Sequence, residues 1–451
     1  MKREKTIQEI NEKIRDGSVR VVTGSEMTEI VGELGAEKAV HEVDVVTTGT
    51  FGAMCSSGVW MNFGHAEPPM RMTRVWLNDV EAYSGVAAVD AFIGATQLSE
   101  SLGMEYGGGH VIEDLVRGRS VHLHAESYGT DCYPRKSLSV DIRADEMNQA
   151  TMSNPRVGAF GAVATNSSRK TIYTYMGKLL PDFGNATFSG AGELSPIRND
   201  PQFHTIGVGT RIFLGGAEGY ITGSGTQHNP DTGQGTLRVE ADLRQMSSDF
   251  IKGCNLARYG VSLYVGLGVP IPILNEDVAK STGVSNQEIV TKVIDYGVPS
   301  RDRPKLGKAS YADLKSGSIE IDGREIRTAP ISSFKVAETV ANELKQWIEL
   351  SKFFLASPDI LVPSSGTYHH MVQRELTAAT SATPATFQPA DNQFVNLDKD
   401  RCVECGLCTS FCEPGVFAFD DEWAFKFSPD LCSECELCGD VCPQRAISLG
   451  S

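Results

Sequence analysis

The chain has 451 residues, 41% of them hydrophobic, and a formal net charge of −16. That length predicts two or three domains and at least one sizeable core. The negative charge argues against nucleic acid and against an anionic membrane surface as partners.

Met1-Lys2-Arg3-Glu4-Lys5 leads straight into a polar helical pattern without an apolar h-region, and no apolar run approaches a membrane span. A cytoplasmic, reducing, anaerobic setting is the expectation. The first helix is expected over about residues 5–17, with Ile7, Ile10 and Ile14 on one face and Asp16-Gly17 as its stop. Val19–Val22 reads as a short strand, Met27–Leu34 as a helix and Val43–Thr48 as a β-branched strand ending at Gly49. Ala87–Gln97 is predicted as a small-residue helix and Val121–His124 as a strand. From about 139 to 265 the chain is glycine-rich and strand-like, as at Thr171–Tyr175 and Gly219–Thr222. Ile319–Ile321 and Arg324–Arg327 fit a hairpin closed by Asp322-Gly323. Ser333 caps a helix expected to run to about Ala356, with Val340, Leu344, Trp347 and Phe354 in one stripe. Thr377–Asp391, rich in Ala, Thr and Pro, reads as a linker. The expected division is a front domain at 1–357, a linker at 358–395 and a tail domain at 396–451. Helices mixed with strands and many glycine turns predict an α/β or α+β front domain with mixed sheets, whose strand order stays open.

The tail carries the strongest motif. Cys402, Cys405, Cys408 and Cys412, then Cys432, Cys435, Cys438 and Cys442, write C-x2-C-x2-C-x3-C twice. This is the run of a bacterial-type ferredoxin with two 4Fe–4S clusters, in which the fourth cysteine of each run serves the other cluster. One cluster is therefore expected on Cys402, Cys405, Cys408 and Cys442, the other on Cys432, Cys435, Cys438 and Cys412. Zinc needs only four cysteines, usually as two separated pairs, and fits this double run poorly. Clusters of this kind imply a low-potential electron donor. Eleven acidic and four basic residues from Asn396 onward make the tail acidic.

Three cysteines lie outside the tail. Cys55 sits past a strand in Gly52-Ala53-Met54-Cys55-Ser56-Ser57-Gly58, where a glycine-rich turn or a helix N-terminus can activate a thiol. Cys132 sits in Tyr128-Gly129-Thr130-Asp131-Cys132-Tyr133-Pro134, with Arg135 and Lys136 close by. Cys254, in Lys252-Gly253-Cys254-Asn255, reads equally as a buried inert thiol. His65 and His110 are candidate bases. Gly107-Gly108-Gly109 is either a tight turn or an oxyanion cradle of backbone amides.

These stretches, with Gly64-His65-Ala66-Glu67-Pro68-Pro69, Ser189-Gly190-Ala191-Gly192-Glu193-Leu194-Ser195-Pro196 and Val269-Pro270-Ile271-Pro272-Ile273-Leu274-Asn275-Glu276, resemble the homocysteine biosynthesis family of anaerobic archaea and bacteria. The resemblance spans about residues 5–355. It implies sulfur transfer to L-aspartate semialdehyde, giving L-homocysteine from the aldehyde, a sulfide or persulfide donor and reducing equivalents. Cys55 and Cys132 are the candidate working pair: one carries sulfur as a persulfide, the other resolves the intermediate, and the clusters reduce the resulting disulfide. Arg135, Arg169 and Arg198 are candidates for the substrate carboxylate and Asp131 or Glu193 for its ammonium. Two alternatives stand beside this: a third cluster held by Cys55, Cys132 and Cys254 with one open iron, or an electron-transfer scaffold with a non-catalytic front domain. Homo-oligomerisation stays open.

Overall fold

The computed structural model describes residues 4–158, 161–232, 235–366, 369, 371 and 394–450. They fall into two compact units, residues 1–369 and 370–451. The Ala-, Thr- and Pro-rich stretch expected as a linker lies outside the described residues. Ile360–Leu361 still belongs to the first unit, because it pairs with Gly207–Val208.

The first unit is α+β. Its largest sheet has nine strands, in the order Ile251–Leu256, Gly260–Gly268, Arg211–Leu214, Ala217–Ser224, Thr236–Asp242, Gln149–Gly158, Gly58–Asn62 and Asp90–Gly94, with Thr50–Ala53 added against Gly260–Gly268. A six-stranded antiparallel sheet contains Val121–Glu126 and Arg74–Leu77. A second six-stranded sheet is mixed: Val163–Thr165 runs parallel to Val290–Asp295, and Ala186–Phe188 parallel to Arg324–Pro330. The helix Gly108–Val116 buries Val111, Ile112 and Leu115 in one cluster with Ile93 and Leu263 of the nine-stranded sheet and Leu77 and Leu123 of its neighbour. Each such side chain contributes about 1.5–3 kcal/mol on leaving water.

Most expected elements form. The first helix is Ile7–Asp16, with Ile10 and Ile14 buried, and stops at Gly17 in the left-handed region (φ 75°). The second is Gly24–Leu34, started by a Thr23–Glu26 capping box. The Asp322-Gly323 hairpin is present. Two expectations fail. Ala87–Gln97 is not helical, and Asp90–Gly94 is a strand paired with Gly58–Asn62. Val89, Ala91, Ile93 and Ala95 are all buried, a period-two pattern that decides for strand over the helix propensity of alanine. The helix after Ser333 ends at Glu349, not near Ala356, and Ser351 turns left-handed at φ 56°. Val340, Leu344 and Ile348 form its buried stripe, and Phe354 packs beside that cluster from beyond the helix.

Gly49 lets this helix close on the sheets. A Cβ there would stand 2.0 Å from the Ala337 carbonyl oxygen. Gly49→Ala should cost about 1–3 kcal/mol of unfolding free energy, as overpacking does. Chemical denaturation measures this, and an unchanged midpoint would contradict the close approach.

The second unit consists of two antiparallel pairs, Val395–Leu397 with Ile447–Leu449 and Phe417–Phe419 with Phe425–Phe427. It repeats itself: the second cysteine run follows the first in the same order, each run followed by a short strand.

Candidate active site

The strand Gly260–Gly268 positions the front-unit thiols. On one edge it pairs with Thr50–Ala53 in the register Tyr264↔Ala53, and the Met54 amide extends that ladder to the Leu263 carbonyl at 2.8 Å. The chain then turns through Cys55. On the other edge Ile251–Leu256 pairs in the register Cys254↔Ser262. Ser262 thus stands between two cysteines, and its Oγ–H donates to Cys55 Sγ at 3.1 Å. Ser262 is fully buried, while Cys55 and Cys254 are half-buried. Burial, and then the negative charge of Cys55, push the Cys254 thiol up to about 11, while the Ser262 amide and hydroxyl pull it down.

Aromatic side chains flank this row. Tyr259 has its phenol raised by burial, then by Cys55 and Tyr175. Tyr264 is raised by burial and then by Cys254, and its hydroxyl donates to the Ile331 carbonyl at 2.6 Å. The Tyr175 and Tyr296 hydroxyls are 2.7 Å apart, and the Arg303 guanidinium lies 4.8 Å from the centre of the Tyr296 ring. A cavity next to this strand pair is lined by Thr50, Met54, Ser189, Ser195, Ile331 and Ser332, among others.

The sequence's other candidates lie elsewhere. Cys132 is exposed, in a turn where Thr130 and Tyr133 exchange backbone hydrogen bonds and Thr130 Oγ1 lies 3.4 Å from its sulfur. His65 stacks on Tyr133 of that loop at 5.8 Å. Arg135 donates to the Pro68 carbonyl at 3.0 Å and also to that of Glu67, which fastens the loop to residues 67–68. Asp131 and Arg169 are exposed. Glu193 accepts from the Ser25 hydroxyl at 3.1 Å and the Asn286 amide at 3.3 Å. Arg198 lines an open groove with His204, Lys280 and Glu288, its guanidinium pKa lowered by burial. His110 caps its own helix: Nδ1 accepts from the Gly107 amide at 3.2 Å, and Nε2 is 3.0 Å from Asn255 Oδ1. Strand alternation sets Asn255 and Gly253, which His110 packs against, on the face opposite Cys254. Gly107-Gly108-Gly109 is a packing device. A Cβ on Gly108 would be 1.9 Å from the Gly94 oxygen and one on Gly109 2.1 Å from the Ser262 oxygen, and both amides are bonded to carbonyls of residues 95–97.

Sequence reading missed Ser262 and the tyrosines, and left Cys254 undecided. The available signal was the short turn Ala257-Arg258-Tyr259 between two strand-like runs, which pairs Cys254 with Ser262.

In the second unit, one void is lined by Cys402, Cys405, Cys408 and Cys442, the other by Cys412, Cys432, Cys435 and Cys438. The chemistry of these two sulfur sets fits a cubane each. Backbone amides reach the sulfurs: Val416 to Cys412 and Ala446 to Cys442 at 3.3 Å, Glu434 to Cys432 at 3.4 Å. Glu404, Glu434 and Glu436 adopt left-handed φ of 53°, 58° and 61° within these runs. Burial, with the neighbouring cysteines adding to it, pushes the Cys408 thiol up to about 11. Among the described residues no three His, Cys, Asp or Glu side chains converge as a single metal ion requires; the tail sulfurs line voids.

The α+β front unit with a half-buried thiol pair flanking a buried serine, followed by a cysteine-lined tail, defines a sulfur-handling enzyme with an iron–sulfur domain. Residues 19–355 match the family described as homocysteine biosynthesis enzyme, sulfur-incorporation, and residues 425–448 match the 4Fe-4S binding domain. The chain belongs to this homocysteine biosynthesis family, as the sequence resemblance implied. A relative from Methanosarcina acetivorans, named L-aspartate semialdehyde sulfurtransferase, is 52% identical over 403 residues, covering 89% of this chain and 79% of that one. One from Methanocaldococcus jannaschii with the same name is 54% identical over 367 residues, covering 78% and 72%. An uncharacterised protein of Methanothermobacter thermautotrophicus is 26% identical over 428 residues, covering 92% and 84%. No solved structure matches the chain.

Cys254 makes stability depend on pH. A thiol whose folded pKa is raised holds its proton longer in the folded than in the unfolded chain, so its contribution is present below about pH 9 and lost as pH rises through about 11. Cys254→Ala should flatten that part of the profile and leave the slope due to the raised tyrosines. Urea unfolding under reducing conditions at stepped pH measures this, and superimposable profiles would contradict it.

Proposed function

We propose that the protein transfers sulfur to L-aspartate semialdehyde, with Cys55 as the sulfur carrier. The observation that carries this is the half-buried Cys55 sulfur accepting the Ser262 hydroxyl, in a chain 52% and 54% identical over 403 and 367 residues to proteins named for that reaction. The net change is aldehyde plus hydrogen sulfide, two electrons and two protons giving the thiol and water. In the first turnover a Cys55 thiolate takes sulfane sulfur from a persulfide donor, which leaves as its thiolate, and the outer sulfur of the resulting Cys55 persulfide adds to the carbonyl. A second thiol then displaces it at the Cys55 sulfur, forming a disulfide and a hydroxythiol. Loss of water gives a thioaldehyde, and its two-electron reduction gives the product. Hydrosulfide reopens the disulfide to the persulfide, so atoms and electrons balance. Cys132, exposed on its own loop, is the second thiol in this reading. The cavity beside Met54 suits a small substrate, and its serine and threonine hydroxyls can orient the substrate's polar groups.

The tail would supply the electrons. Cys402, Cys405, Cys408 and Cys442 would hold one 4Fe–4S cluster, and Cys432, Cys435, Cys438 and Cys412 the other; such clusters supply single electrons at low potential. The two-domain division, a low-potential electron donor and a cytoplasmic, reducing setting for eleven free cysteines belong to the same reading.

Anaerobic turnover of the reconstituted protein with aspartate semialdehyde, sulfide and a low-potential reductant should yield homocysteine by mass. Cys55→Ser should abolish product while iron content stays unchanged; full activity in that variant would sink the carrier role. Iron should be about eight per chain for two cubanes, and Cys442→Ser should bring it to about half. Undiminished iron in that variant would contradict the crossed ligand sets.

A further inference from the structure

Ser262 is a fully buried hydroxyl with one proton and two sulfurs beside it. A hydroxyl donates one hydrogen bond at a time. The contact at 3.1 Å gives that bond to Cys55, while Cys254 faces the same residue directly across the strand pair. We propose that Ser262 is a positioning residue that directs its proton to Cys55 in preference to Cys254 and so sets which of the two sulfurs is the nucleophile. This rests on Cys55 being the sulfur carrier, and it explains why, of two neighbouring thiols, that one takes the sulfur.

Three observations support it. A hydrogen bond to an ionised acceptor is roughly twice as strong as one between neutral groups, so the donor favours the thiolate form of the sulfur it points to. Cys254 sits under burial and the charge of Cys55, which outweigh the pull of the Ser262 amide and hydroxyl and keep it protonated. The other titratable groups facing the pair supply no competing negative charge at neutral pH. Tyr259 beside Cys55, Tyr264 beside Cys254 and Tyr296 near Tyr259 are all raised by burial and stay neutral. Tyr175 shares a hydrogen bond with Tyr296, and Arg303, the cation of this group, lies over the Tyr296 ring. His110 lies on the far face of the sheet, engaged with Gly107 and Asn255.

The test is residue-resolved alkylation of the full-length, cluster-loaded protein with iodoacetamide, anaerobically from about pH 6 to 11, read by peptide mass. Cys55 should react at lower pH than Cys254. Ser262→Ala should slow Cys55 alkylation at pH 7 by about tenfold and move its profile to higher pH, the size expected for losing one hydrogen bond to a charged group. Ser262→Thr should restore the wild-type profile. Cys55→Ala should move the Cys254 profile to lower pH, because Cys254 then loses a charged neighbour and gains the hydroxyl. An unchanged Cys55 profile in Ser262→Ala, or an unchanged Cys254 profile in Cys55→Ala, would overturn the proposal. The second of these holds even if Ser262→Ala does not fold. Failure of the carrier reading looks different: treating the wild-type protein with an organic persulfide such as glutathione persulfide would then add no sulfur mass to the Cys55 peptide, while the alkylation profiles stayed as expected.

Discussion

The front unit depends on the strand Gly260–Gly268 being paired along both edges. One edge holds Ile251–Leu256, the other holds Thr50–Ala53, and both registers are fixed by buried ladders. A slip of one residue would turn Ser262 to the opposite face and part it from both sulfurs. The helix Gly108–Val116 locks the same strand from behind, through glycines that admit no side chain. The row Cys55, Ser262, Cys254 is therefore a product of sheet register. A flexible loop could not hold a serine hydroxyl at 3.1 Å from a sulfur with comparable certainty.

The tail solves a different problem. It is too small for a large apolar core, and Cys408 and Cys438 are themselves among its buried side chains, packed with Val395, Val416, Phe417 and Ile447. Sulfur ligands and apolar residues share one interior. Bound clusters would complete that interior and contribute to its folding, as structural metals do in other small domains. The left-handed residues inside each run bend the backbone around the voids and bring amides to the sulfurs.

What the sequence made legible follows from how local each signal is. The double cysteine run was readable because ligand spacing is written along the chain, and two voids in the tail are each lined by four of these cysteines. Capped helices such as Ile7–Asp16 were readable for the same reason. Asp90–Gly94 was misread because alanine favours helix locally, whereas pairing with Gly58–Asn62 is a long-range fact. The charged residues expected around the substrate were chosen by type alone, and the structure disperses them: Glu193 holds two segments together, Arg135 pins a loop and Arg198 lines another groove. Cys254 stayed undecided in sequence because its partner, Ser262, becomes its neighbour only through a hairpin register.

The most direct test of the account is a single turnover. Protein carrying a Cys55 persulfide, its tail fully reduced and all external reductant and sulfide removed, is mixed anaerobically with L-aspartate semialdehyde. Homocysteine should form at about one per chain, with the loss of two electrons from the reduced iron–sulfur absorbance and of one sulfur from the Cys55 peptide. Homocysteine formed without oxidation of the tail, or oxidation of the tail with the Cys55 sulfur still in place, would contradict the account.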